Sequence, residues 1–183
     1  VLDGAGHILG QCPRLHGAHI QRHDAAVRTI FKAMRHAVEA PAFCVVDAGV
    51  EARGMRGVHA DRPPAWALPG HPAGSLRRMR PDILVLSGHD AHGGRQGDGP
   101  MRAAIVEVGF CSDLRHAERA AEKASQHAAL AAALTGAGWQ VDVHVVTIGR
   151  CGTIPTATAR ALAAVGIPGP VLEKCLNELN AQA

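Results

Sequence analysis

Three residues of this chain have types and spacing suited to hydrolysis of a phosphate ester. Asp82 stands in "RPDILVLS" and Glu107 in "RAAIVEVGF", while Lys123, one of only three lysines beside Lys32 and Lys174, follows Glu107 downstream. Both quoted runs are β-branched and apolar, and the Gly-rich stretch "GHDAHGGRQGDGP" between them makes a hairpin their simplest arrangement. In such a hairpin Asp82, at the start of one strand, and Glu107, near the end of the next, meet at the same end of the sheet. Two partly desolvated carboxylates repel unless one is protonated or a cation lies between them. A divalent metal is the usual solution, and oxygen-only donors suit Mg²⁺ or Mn²⁺. A lysine on the following segment could orient a water or neutralise charge on a phosphate, because its pKa shifts readily on burial. Each residue also has an ordinary structural alternative: Asp82 as a turn residue after Pro81, Glu107 as an edge-strand charge, and Lys123 as a solvated partner of Glu122 or Arg119.

The elements that would position these groups follow from periodicity. After Asp24, read as an N-cap, Val27, Ile30, Phe31, Met34 and Val38 recur at helical spacing until Pro41. A strand is expected over 43–47, then a long Pro- and Gly-rich surface loop over 49–80, then the hairpin. Asp113 is expected to open one long helix through about Thr135, stopped by Gly136 and Gly138, with Leu114, Ala117, Ala121, Ala124, His127 or Ala128, and Ala131 on its packing face. "WQVDVHVVTI" alternates and reads as a fourth strand; Thr153 with Pro155 starts another helix, and Pro170 a last one. The expected order is α-β-β-β-α-β followed by two helices, an α/β or α+β layer domain.

The 183 residues suffice for one main domain with an aliphatic, Ala-rich core, hydrophobic content being 47% and aromatic content 3%. A formal charge of +3 is too weak by itself to establish a polyanion partner. Five scattered cysteines with no C-x-x-C pair argue against a disulfide framework and fit a reducing compartment. No apolar run approaches the roughly 20 residues needed to span a bilayer, so a soluble protein without a membrane partner is expected. A chain beginning at Val1 is expected to be processed or a piece of a larger polypeptide.

"RPD", then "VEV", then a helical lysine, in this element order, resembles the restriction-endonuclease-like nuclease fold, whose usual signature is PD followed by (D/E)-x-K. Gly109 occupies the place where that lysine normally stands. More specifically, "RPDILVLS", "AAIVEVGFCSD", "EKASQH" and "TIGRCGTI" resemble the C-terminal endonuclease domain of non-LTR retrotransposon reverse transcriptases, in which the lysine is displaced into the following helix. The resemblance runs over nearly the whole chain. It implies a metal-dependent DNA endonuclease that nicks a target and leaves a 3′ hydroxyl for an upstream reverse transcriptase domain. Asp82 and Glu107 would hold Mg²⁺ or Mn²⁺, with Lys123 as the third catalytic residue. "HILGQCPRLHGAHIQRHD" is similar to the second half of the Cys-Cys-His-Cys zinc knuckle that precedes this nuclease, followed by an Arg-His pair. On that reading residues 1–23 are a knuckle remnant and linker, and residues 24–183 the endonuclease-like domain. His7 and Cys12 would supply two zinc ligands, short of the four a structural site needs unless His16, His19 or His23 substitute.

Several other features are weaker signals. His89, Asp90 and His92 look metal-like but fall on a hairpin tip beside the predicted site. Cys111 shows no obvious base partner and reads as a small buried residue. "GRCGT" could hold a phosphate on backbone N–H groups near Arg150, or be a plain turn before a helix. Arg77, Arg78 and Arg80 are candidate nucleic-acid contacts or a solvated face. The rival to the nuclease is an inactive captured copy serving as a structural or DNA- or RNA-binding subunit of a host assembly. A nuclear element and an organelle-imported subunit are both compatible with the sequence. A small-molecule α/β enzyme ranks last, because no nucleotide fingerprint or G-x-S-x-G elbow is present.

Overall fold

Aliphatic runs too short for helices and dense in Val, Ile and Leu become strands here, with little apolar-polar alternation where both faces of the sheet are covered. The computed structural model describes residues 15–35, 42–72, 75, 79–89, 93–95 and 99–182. In chain order these form α1 (His16–Met34), β1 (Ala42–Val46), a one-turn helix α2 (Gly49–Ala52), a 3₁₀ turn (Ala65–Ala67), β2 (Ile83–Ser87), β3 (Arg102–Cys111), α3 (His116–Gln126), α4 (Ala128–Gly136), β4 (Gln140–Gly149), α5 (Thr156–Ala164) and α6 (Gly169–Gln182). The four strands lie in the order β1-β2-β3-β4. β1 and β2 are antiparallel, as are β2 and β3, and β4 runs parallel to β3. The fold is a mixed α/β layer domain, as the element order predicts.

Both faces of the sheet are covered. Alternate residues Cys44, Val46, Ile83, Val85, Val106, Val108, Val146 and Ile148 pack against α1, α5 and α6. The opposite set, Phe43, Val45, Leu84, Leu86 and Ile105, packs against Leu130 and Leu134 of α4, Leu68 and Trp139. Burying each such large side chain contributes about 1.5–3 kcal/mol, so the two layers clamp the sheet that carries the carboxylates. Thr158 of α5 accepts from the Thr147 N–H at 3.0 Å and donates to the Thr147 carbonyl at 2.9 Å, satisfying backbone groups on the outer edge of β4. At the other edge, His59 N–H donates to the Cys44 carbonyl and Val46 N–H to the Ala60 carbonyl, so part of the 49–80 connection runs beside β1.

Two helices differ from the sequence reading. α1 begins at His16, so Asp24 is an interior helical residue and not an N-cap. Its first two turns are mostly exposed and show no apolar stripe, which removes the periodic signal there. The predicted single helix 113–135 is two, interrupted at His127, which adopts φ −108° and ψ 11°. Asp113 lies before α3 and Leu114 is 95% exposed, so neither belongs to a packing face. Asp113 instead accepts from the Cys151 and Thr153 N–H groups and the Thr153 hydroxyl, pinning the turn after β4. Gly149 is required there: a Cβ on it would overlap the Asp113 carboxylate and the Thr153 hydroxyl. Val38 lies outside the described residues.

Candidate functional site at the β2–β3 end

The β2–β3 register places Ile83 opposite Val106, so Asp82, one residue before β2, falls opposite Glu107. The two carboxylates continue the ladder where backbone pairing ends. Asp82 N–H donates to Glu107 Oε1 at 3.1 Å, and Val108 N–H donates to Asp82 Oδ2 at 2.7 Å. Alternation explains the direction of Glu107: Val106 and Val108 face the α1 layer, so Glu107 faces the layer formed by α3 and α4. It is 1% exposed.

α3 delivers the cation. Lys123 Nζ lies 3.1 Å from Glu107 Oε2 and 3.5 Å from Asp82 Oδ2, bridging the two acids. His127, four residues on and therefore on the same helical face, puts Nε2 at 2.9 Å from Glu107 Oε1. From the other layer, His23 Nε2 lies 3.3 Å from Asp82 Oδ2, and its Nδ1 lies 3.4 Å from Asp24 Oδ1. Each carboxylate thus has a histidine of its own and shares one lysine.

Burial opposes ionisation of Asp82, but the His23 hydrogen bond and charge, the Lys123 ammonium and the Val108 N–H outweigh it and hold the carboxyl below its ordinary value. Burial likewise disfavours the charged form of His23, yet the hydrogen bond and charge of Asp82, helped by Asp24 and opposed by Lys123, raise its pKa above the usual histidine value. The site as folded is therefore a compact cluster of two acids and their cationic or hydrogen-bonding partners.

Asp82, Glu107 and Lys123, the three residues singled out in the sequence, are brought together; Lys123 is a partner of both acids and not of Glu122, which pairs with Arg119. Glu107 is a buried residue of an interior strand, not an edge charge. Gly109, where the lysine of the common signature would stand, lies beneath α3: a Cβ on it would come within 3.1 Å of Arg119 Nε and 3.5 Å of Lys123 Cγ. The bare backbone leaves room for the helix-borne side chains.

Other candidates are placed elsewhere. Arg80 is engaged by Asp47, with Nη2 at 2.7 Å from Oδ1. Arg77, Arg78, His7, Cys12, Asp90 and His92 lie outside the described residues. His23, named as a substitute zinc ligand, is directed at Asp82 and Asp24. His89 is buried between Trp66, against which it stacks with ring centroids 5.4 Å apart, and Trp139. The "GRCGT" N–H groups do not form an open phosphate cradle, because Asp113 takes those of Cys151 and Thr153. Cys111 does have a histidine, His116 Nδ1 at 3.5 Å, but burial raises the thiol pKa and favours the neutral form.

Reasoning from the sequence missed His23 and His127 as members of the site. The i, i+4 spacing of Lys123 and His127 in "EKASQH" was the available signal for one; His23 had none, since it reaches the site from a segment without apolar periodicity. Among the described residues, no group of three or more His, Cys, Asp or Glu side chains is arranged to hold a metal ion. The donor chemistry still fits Mg²⁺ or Mn²⁺, which are commonly held by one or two carboxylates with water and substrate phosphate completing the shell. No protein-family profile matches the chain, and no curated protein matches it.

Proposed function

We propose that the chain is a metal-dependent DNA endonuclease with a restriction-endonuclease-like core, acting at Asp82, Glu107 and Lys123. The observation that carries this reading is their convergence: three ionisable groups, from the entrance to β2, from β3 and from α3, meet with Lys123 Nζ within 3.5 Å of both acids. An antiparallel β1–β3 unit, a helical crossover and a parallel β4 support the same reading.

In this role the carboxylates of Asp82 and Glu107 would hold Mg²⁺ or Mn²⁺, which would supply Lewis-acid stabilisation of phosphate charge and a more acidic water. Lys123, released from one carboxylate, orients the attacking water or steadies the phosphate oxygens. The oxygen of water bonds to phosphorus, the bond from phosphorus to the 3′ oxygen breaks, and that oxygen takes a proton to leave a 3′ hydroxyl. His127 and His23 fix the two carboxylates and keep their oxygens aimed inward. The nick would prime reverse transcription by a domain upstream of this chain, in a nuclear element or in an assembly imported into an organelle. No described helix is long and apolar enough to cross a membrane.

A second reading draws on a separate observation. Both acids already have lysine, histidine and backbone partners, so the cluster is satisfied without a metal. That favours a copy kept as a structural or nucleic-acid-binding subunit. Nicking of supercoiled plasmid with Mg²⁺ or Mn²⁺ separates the two: the nuclease reading requires nicking by the native chain and its loss in Asp82→Ala and Glu107→Gln. A folded native chain that binds DNA or RNA but never nicks supports the second.

A further inference from the structure

Beyond Gly109, a cleft of about 450 Å³ opens between the end of β3, the first turns of α3 and the turn after β4. Its lining includes Phe110, Arg115, Arg119 and Arg150, together with Glu118 and Glu122. The glutamates orient two of the guanidinium groups: Arg115 Nε donates to Glu118 Oε2 at 2.6 Å, and Arg119 Nη1 to Glu122 Oε2 at 3.0 Å. Three arginines against two glutamates leave the cleft net positive. A further cation borders it, since the Arg22 guanidinium lies 4.4 Å from the centre of the Phe110 ring. Burial, and then the charge of Arg150, hold Arg22 below the ordinary arginine pKa, which reflects the proximity of the two guanidiniums.

The cleft and the candidate active site share one helix, α3, which contributes Arg119 to the first and Lys123 to the second. Arg119 and Lys123 occupy successive turns of α3, separated by about 6 Å along its axis, and both pass over Gly109. One turn of helix is the scale of one backbone step along a nucleic-acid strand. Guanidinium forks match phosphate oxygens in a way that lysine does not, and Phe110 supplies a flat apolar wall beside them.

We propose that this cleft seats a backbone phosphate of a bound DNA strand, one step from the phosphate held at Asp82, Glu107 and Lys123, with Arg119 and Arg150 as its principal ligands. The proposal rests on the nuclease reading for its register along the strand, but its test does not depend on cleavage. Binding of a labelled DNA duplex to the full chain is measured by fluorescence anisotropy without divalent metal, across a salt series, for the native chain, Arg150→Gln, Arg119→Gln/Arg150→Gln and the control Arg160→Gln on an exposed position of α5.

Each lost phosphate contact reduces the slope of log K against log salt by about 0.9 on duplex DNA. The expected result is a several-fold weaker, sequence-independent affinity with a slope lower by about one in Arg150→Gln and by about two in the double variant, Arg160→Gln remaining near native. Should the double variant fail to fold, Arg150→Gln alone reads one contact, because Arg150 sits in a turn between β4 and α5. Slopes and affinities equal to those of Arg160→Gln, or no DNA binding by the native chain, overturn the proposal. A reduced slope in a chain that never nicks sustains the cleft and removes the nuclease; metal-dependent nicking with an unchanged slope does the reverse.

Discussion

Replacing Lys123 with Met tests whether the ammonium is what allows two acids to share one buried corner. The stem length is nearly retained, while the charge 3.1 Å from Glu107 Oε2 and 3.5 Å from Asp82 Oδ2 is lost. At an effective dielectric of about 20, a pair at 3.1 Å attracts by about 5 kcal/mol before desolvation is subtracted. Breaking a buried pair by removing one partner costs about 3–5 kcal/mol, because the remaining charge stays buried. For a chain of this size that corresponds to a fall in Tm of roughly 6–20 °C. The two acids then repel unless one binds a proton, so the loss is larger at pH 8 than at pH 5. Urea unfolding followed by tryptophan fluorescence suits the assay, because Trp66 and Trp139 lie in one aromatic cluster 6.2 Å apart. A loss below about 1 kcal/mol at pH 8, or the same loss at both pH values, refutes the reasoning. The same variant probes the metal reading. With the ammonium gone, Mg²⁺ at a hundred times its dissociation constant restores about 2.7 kcal/mol. No midpoint change with Mg²⁺ in either chain counts against the carboxylate pair as a metal site.

Three further outcomes are expected. Gly109→Ala pushes against Arg119 and Lys123; it lowers stability by about 1–2 kcal/mol but reduces plasmid nicking by roughly tenfold or more, so equal nicking rates count against a positioning role. His23 titrates above about 6.5, the ordinary histidine value, and Asp82→Asn lowers it; by linkage the stability it adds is fully present below that unfolded value and fades as pH rises through the folded one. An NMR titration placing native His23 at or below 6.5 contradicts this. Glu107→Gln retains an acceptor for the Asp82 N–H and unfolds later than Glu107→Ala, which leaves that buried donor without its acceptor; equal urea midpoints for the two variants contradict it.

How far the sequence determined this protein is clearest where chemistry and periodicity coincide. "DILVLS" and "RAAIVEVGF" had to be strands, because their β-branched runs are too short for helices and are bounded by Pro and Gly, and their hairpin alone brings Asp82 opposite Glu107. Lys123 was legible as the cation because lysines are scarce. What tertiary structure decided is which partners those acids keep. His23 arrives from the first turns of α1, a stretch without an apolar stripe, and its role depends on the packing of that helix against the sheet, which brings it to Asp82 59 residues away in the chain. The break at His127 and the capture of the 150–153 turn by Asp113 are likewise invisible to a helical wheel, since polar contacts hold them and no burial pattern marks them. Periodicity reports which face is apolar; it carries no information about the distant acceptor a buried histidine or aspartate will meet.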